Sequence, residues 1–187
     1  MNADIVMDVV APPAWTEPVA SDLQHVVRSA FETTGTAGQA VKAFLQGDWL
    51  GHPLHPVVTD LPVGAWTVST VLDALDAASG KDTYARGADA AIGIGLIGAL
   101  GSALSGVADW QSADDGKVKR VGLVHGLLNV TATTLFGASW LLRKGKNRGT
   151  ARTLAFLGYG IAFFSAYLGG EMVYRMGMGV TREAGGR

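Results

Sequence analysis

Imidazole and carboxylate are the side chains with which this sequence could do chemistry. His52 and His55 stand three apart in the run Gly51-His52-Pro53-Leu54-His55-Pro56, and Asp60 follows them. His125 and Asn129 are one helical turn apart, while Asp109 and Glu171 each stand near the end of an apolar stretch. The chain has no cysteine, so disulfides, thiolate metal sites and cysteine-held iron–sulfur clusters within it are excluded. Any metal here is held by nitrogen or oxygen.

Two kinds of chemistry suit these residues. Histidines on facing helices can supply both axial nitrogens to a b-type haem. In that reading His55 and His125 are the ligands, His52 is a supporting or substitute ligand, and Asn129 and Asp60 tune polarity. Asp109 or Glu171 then exchanges protons with a quinone or with water. Alternatively, His52, His55, His125, Asp109 and Glu171 form a zinc or non-haem iron site, since imidazole with carboxylate suits either metal. Ordinary explanations stand beside both. A histidine before proline resembles a helix cap followed by proline at the first helical position, which fits His55 before Pro56. His125 reads equally as a hydrogen-bonded core residue, Asp109 and Glu171 as interfacial groups reaching water, and His25 as an exposed side chain. Other chemistries have little support. No serine sits in a strand-turn-helix elbow, and the GxGxxG string Gly93–Gly98 lies within an apolar run with no strand before it. A formal net charge of −1 gives no footprint for nucleic acid.

The elements that must position these groups are membrane helices. Apolar residues make up 48% of the chain and charged residues 17%, against about 25% charged in soluble domains. The runs Pro56–Ala78, Ala88–Trp110, Val121–Leu142 and Ala151–Tyr174 each meet the requirement of about 20 mostly apolar residues per span. Short connections imply antiparallel neighbours. The expected fold is therefore all-α, an integral membrane antiparallel four-helix bundle with short N-terminal surface helices. Antiparallel threading would bring His52, His55, Asp60, Asp109, His125, Asn129 and Glu171 to one leaflet and leave Asp73 and Asp76, with Asp89 near the interface, at the other.

Three regions are expected: a polar N-terminal region 1–48, the transmembrane domain 49–180 and a tail 181–187. In the first, Pro12, Pro13 and Pro18 break the chain into coil, Ser21 and Asp22 cap a helix through Glu32, and a second helix runs from Gly38 to Gln46; the two read as lying on the membrane surface or covering the bundle, and equally as a soluble cap with no lipid contact. The opening residues lack the basic and apolar regions of a cleavable signal, so the first span is expected to direct insertion. Trp49, Trp110 and Tyr174 read as rings at one interface, with Tyr84 and Trp140 at the other. Basic residues divide almost evenly between Lys117, Lys119, Arg120, Arg175 and Arg182 at one side and Lys81, Arg86, Arg143, Lys144, Lys146, Arg148 and Arg152 at the other. Orientation is therefore not resolved, and the denser second group only weakly favours the cytoplasm for its loops. The small residues Gly95, Gly98, Ser102 and Ser105, and likewise Gly158, Ala162, Ser165 and Gly169, read as close-packing stripes or as room for a flat cofactor.

The stretch Gly51–Gly64, with Val124-His125-Gly126-Leu127-Leu128-Asn129, Leu168–Tyr174 and Gly177-Met178-Gly179-Val180, resembles a bacterial family of predicted membrane proteins, domain-of-unknown-function family 2231. The resemblance covers roughly residues 47 to 180. It implies a four-helix membrane domain that in some relatives is fused to a Rieske iron–sulfur domain, hence a redox setting. Chemistry and resemblance together lead to the expectation of a small haem b electron-transfer protein in the bacterial cytoplasmic membrane, catalytic only as part of a membrane redox system. Its partners would be the lipid bilayer and a separate Rieske-type or other redox protein or a quinone, with no nucleic acid; homo-oligomers stay open. The alternatives are zinc or iron binding or transport, and a non-catalytic anchor for a redox partner.

Overall fold

A computed structural model describes residues 12–145 and 147–179. The expectations for residues 1–11, Lys146 and the tail 181–187 lie outside the described residues. Of the described chain, 87% is helical and none of it is strand, which establishes the all-α class.

Helix α1 spans Glu17–Thr33 and begins upstream of Ser21 and Asp22, so these residues do not cap it. Pro18 lies in its first turn, where the missing N–H has no helical acceptor to satisfy and the ring's fixed φ suits the helix. The proline starts the helix rather than prolonging coil. Helix α2, Gly35–Gln46, follows after a single residue and ends at Gly47, whose φ of 85° is left-handed. A side chain at Gly47 would place its Cβ 2.3 Å from the His52 carbonyl oxygen, so the position needs glycine for space as well as for conformation. One 3-10 turn, Asp48–Leu50, then ends at Gly51 with φ 78° and delivers the chain to the histidine-proline motif.

Four long helices follow: α3 Leu54–Ser79, α4 Asp82–Trp110, α5 Gly116–Arg143 and α6 Arg148–Tyr174. By length and composition α4, α5 and α6 are candidate membrane spans. The expected fourth, α3, is a helix of 26 residues and is not among these candidates. All four begin before the apolar runs that announced them. Hydropathy marks where the apolar stretch starts, whereas Asp82, Arg86, Lys117, Lys119, Arg120 and Arg148 extend the helices outward as good or tolerable helix formers with polar tips.

The chain forms two compact units. One comprises Pro56–Ala103 and Leu128–Ser165. Its core is Trp66 stacked on Phe136, ring centroids 4.1 Å apart and planes 11° from parallel, with Ile92, Ala99 and Ala155. Trp66 lies against Gly95, Leu61 and Pro62 against Gly98, and Phe136 against Gly158. Side chains thus fill the notches of both small-residue stripes. Large residues point outward instead: Val68, Val71, Ile94, Ile97, Leu100, Phe156 and Phe163 are exposed, while Ser69, Ser139 and Ser165 are fully buried. Away from the Trp66–Phe136 stack and Ile92, small residues inside and large apolar ones outside is the distribution expected of helices packed in lipid, where apolar burial gives no drive for association.

The other unit comprises Met1–His55, Leu104–Leu127 and Ala166–Arg187. Here α1 and α2 close the α4–α5 connection. Gln24 donates to the carbonyls of Trp110 (2.6 Å) and Ala113 (3.1 Å), Arg28 to Gln111 (2.9 Å) and Gln46 to Ala108 (3.1 Å). These are acceptors at a helix C-terminus, which lacks intrahelical donors. Arg120 pairs with Glu17 at 2.6 Å. Trp110, expected as an interfacial ring, sits over Gly122 and donates its indole N–H to Lys119 O at 3.1 Å, clasping the turn.

Candidate functional site

Helix α3 begins at Leu54, so His55 occupies its first turn rather than its cap, and Pro56 follows where no backbone donor is needed. The expected cap role for His55 is corrected accordingly. Its ring lies 6.3 Å from that of His125 on α5, centroid to centroid, with planes at 82°. Ser105 of α4, fully buried, has its hydroxyl 3.5 Å from His55 Nδ1. Each ring fits against a glycine. A Cβ at Gly106 would come within 2.8 Å of His55 Cε1 and Nδ1, and one at Gly169 within 3.1 Å of His125 Cε1. Four helices therefore meet at the pair: α3 and α5 supply imidazoles, α4 and α6 the spaces that admit them.

The remaining expected donors are engaged elsewhere. His52 is exposed, its Nδ1 3.3 Å from Pro53 O, and Pro53 in turn lies 3.2 Å from the position of a Cβ on Gly179. Asp109 lines a cavity of about 330 Å³ together with Gln46, Ser112, Asp114, Asp115 and Met176. Within that group Asp115 caps α5, accepting from the backbone N–H of Lys117 (2.8 Å) and Val118 (3.0 Å). Glu171 pairs with Arg175 at 3.1 Å. Among the described residues no three of His, Asp and Glu are gathered so as to hold a metal ion. Asp60, which is exposed, and Asn129, half-buried, fall in the other compact unit.

That other unit contains a cluster the sequence reading missed. Arg143 of α5, buried, makes a two-pronged pair with fully buried Asp73 of α3 and reaches Asp89 of α4 at 2.9 Å. Arg148 of α6 donates to Asp76 (2.9 Å), Asp89 (2.9 Å) and the Ala85 carbonyl (2.7 Å), and Arg152 pairs with Asp76. Ser139 accepts from Arg143 Nε at 3.2 Å and donates to Ala151 O at 2.7 Å. Acids and bases balance, and the arginine forks are matched to carboxylates as their planar geometry favours. Counting arginines as loop charges and aspartates as isolated acids hid this arrangement. The usable signal was spacing: Asp73 and Asp76 are three apart, Arg148 and Arg152 four apart, and each set lies within two turns of a helix end. A neutral network of this kind fastens helices together, although Arg152 Nε is buried within it without a hydrogen-bond partner.

No curated protein and no solved structure matches the chain. Residues 51–182 match the family described as predicted membrane protein, DUF2231, a span that takes in the histidine-proline turn, the imidazole pair and the charge cluster but not α1 or α2. With well over half of its length inside that match, the chain belongs to the DUF2231 family of predicted membrane proteins.

Proposed function

We propose that this protein is a small membrane electron carrier in which His55 and His125 ligate one b-type haem, within an antiparallel four-helix bundle of the bacterial cytoplasmic membrane. The observation that carries the reading is the convergence of two imidazoles from different helices, 6.3 Å apart. A haem brings its own equatorial nitrogens and needs two protein donors, the number that meet here. Zinc or non-haem iron needs more protein donors than two, and His52, Asp109 and Glu171 each face other partners or surfaces. When bound, the haem supplies a one-electron couple whose potential follows its axial ligands and their surroundings. Ser105 beside Nδ1 of His55 helps to orient that ring.

The bundle itself is supported by the charge cluster, whose members lie late on α3 and α5 and early on α4 and α6, as alternating helix directions require. At 1.5 Å per residue the 26 residues of α3 reach about 39 Å, enough for a hydrocarbon core of about 30 Å. Its exposed side carries Val57, Leu61, Val68, Val71 and Leu75, while Asp73 and Asp76 are buried and paired, so its acids do not count against spanning. A second reading, a non-catalytic anchor for a separate redox protein, draws on the filling of the Gly95, Gly98 and Gly158 notches by side chains.

Absorption spectra of the protein purified from haem-replete cells test the proposal. The expected result is a b-type spectrum that sharpens on reduction, is lost in His55→Ala and His125→Ala, and persists in His52→Ala. A colourless wild-type preparation would overturn it, as would a spectrum indifferent to His55.

A further inference from the structure

Helix α1 has three different sides. Ala20 and Gln24 are buried, and Gln24 and Arg28 spend their donors on the carbonyls that close α4. Ser21, His25, Ser29 and Glu32 form a polar side. Along the third run Val19, Leu23 and Val26, spaced four and three apart and all exposed, with exposed Trp15 in the 3-10 turn Ala14–Thr16 just ahead of the helix. The helix has therefore turned its glutamine inward, 3% exposed, and its valines outward, Val26 being 65% exposed. Helix α2 repeats the pattern, with Gln46 bonded to Ala108 O while Val41 and Phe44 are exposed, Phe44 stacking on exposed Trp49 at 5.7 Å.

We infer that α1 and α2 form an interfacial cuff whose apolar side, Trp15, Val19, Leu23, Val26, Val41 and Phe44, is inserted among lipid headgroups and upper acyl chains. The depth follows from the hydrogen bonds. Helix α4 is a candidate span, its C-terminal carbonyls lie where such a helix leaves the hydrocarbon, and α1 and α2 are bonded directly to those carbonyls. The same end of α4 exposes Leu104 and Val107. A helix at that level with one side on protein, one polar and one apolar has water and lipid as its other two neighbours. Tryptophans at the edges, Trp15 and Trp49, suit headgroup depth. Electrostatic attraction contributes nothing, because Glu17, Asp22 and Glu32 outnumber Arg28 and Lys42 on these helices; neutral lipid suffices.

This inference depends on α4 spanning the bilayer and not on haem, so the two proposals fail separately. The absence of native cysteine makes site-directed spin labelling direct. The full chain carrying V19C, V26C, V41C, H25C or E32C is labelled in phosphatidylcholine nanodiscs and exposed to oxygen, which concentrates in lipid, or to a water-soluble nickel chelate. Labels at 19, 26 and 41 are expected to favour oxygen severalfold over labels at 25 and 32. Equal access of the nickel chelate to all five positions would overturn the cuff. So would label–label broadening at 19, 26 and 41 that disappears when the protein is diluted in lipid, because a second copy would then be covering this side.

Discussion

Replacing Asp73 by asparagine removes one charge from a pair whose partners are essentially out of contact with solvent, at 0% and 1% side-chain exposure. Breaking a buried ion pair by deleting one partner costs roughly 3–5 kcal/mol, because the remaining charge is left uncompensated. Arg143 keeps Asp89 at 2.9 Å and Ser139 at 3.2 Å, so the expected loss lies near the lower end, about 3 kcal/mol. That is roughly a hundredfold in the folding equilibrium. The double variant Asp73→Leu with Arg143→Met removes both charges, and Asp89 retains Arg148 at 2.9 Å. Apolar replacement of a buried pair is commonly neutral, so the double variant should recover most of the loss. Trp66, buried and stacked on Phe136 in the same unit, provides a fluorescence signal for unfolding in mixed detergent. An Asp73→Asn protein within about 0.5 kcal/mol of wild type, the range of ordinary surface substitutions, would refute the burial and pairing described. A double variant no better than the single one would refute the argument that the orphaned arginine is the cause.

Gly95→Ala places a Cβ 2.2 Å from Trp66 Nε1, and because Trp66 is held by its stack on Phe136 the expected loss is about 1–3 kcal/mol, with a shift in tryptophan emission. Gln24→Ala removes two hydrogen bonds to the end of α4, at about 1 kcal/mol each, and should appear as faster proteolysis within α1 while the long helices stay folded. Ser105→Ala leaves His55 without its hydroxyl neighbour; losses of outer-shell partners run from about 10- to 100-fold in metal affinity, and the 3.5 Å separation places this one at the weak end, measured as faster haem loss to apomyoglobin.

What the sequence disclosed and what it hid differ in kind. The apolar runs located the four long helices, because a run of that length and composition has helix as its way to pair its backbone groups within one segment. The imidazole pair was also legible: the sequence puts His55 and His125 near the starts of the first and third apolar runs, and their rings lie 6.3 Å apart. Helix starts were misplaced because charged residues in a first turn resemble loop by hydropathy: Arg148 and Asp82 belong to helices, and Pro18 begins α1. The Asp–Arg cluster was hidden for a related reason. By hydropathy Arg143, Arg148 and Arg152 read as topological signals, yet each is turned toward Asp73, Asp76 or Asp89. For His52 and Asp109 depth is legible in the sequence but side-chain direction is not: His52 is exposed, and Asp109 lines a cavity with Gln46 and Met176.

The haem content of purified protein tests most directly the proposal that the meeting of His55 and His125 is a ligand site. Pyridine haemochrome assay against protein concentration should give one haem per chain in the wild type and none in His125→Ala of equal helicity. Wild-type protein without haem, or His125→Ala with its haem undiminished, would contradict it.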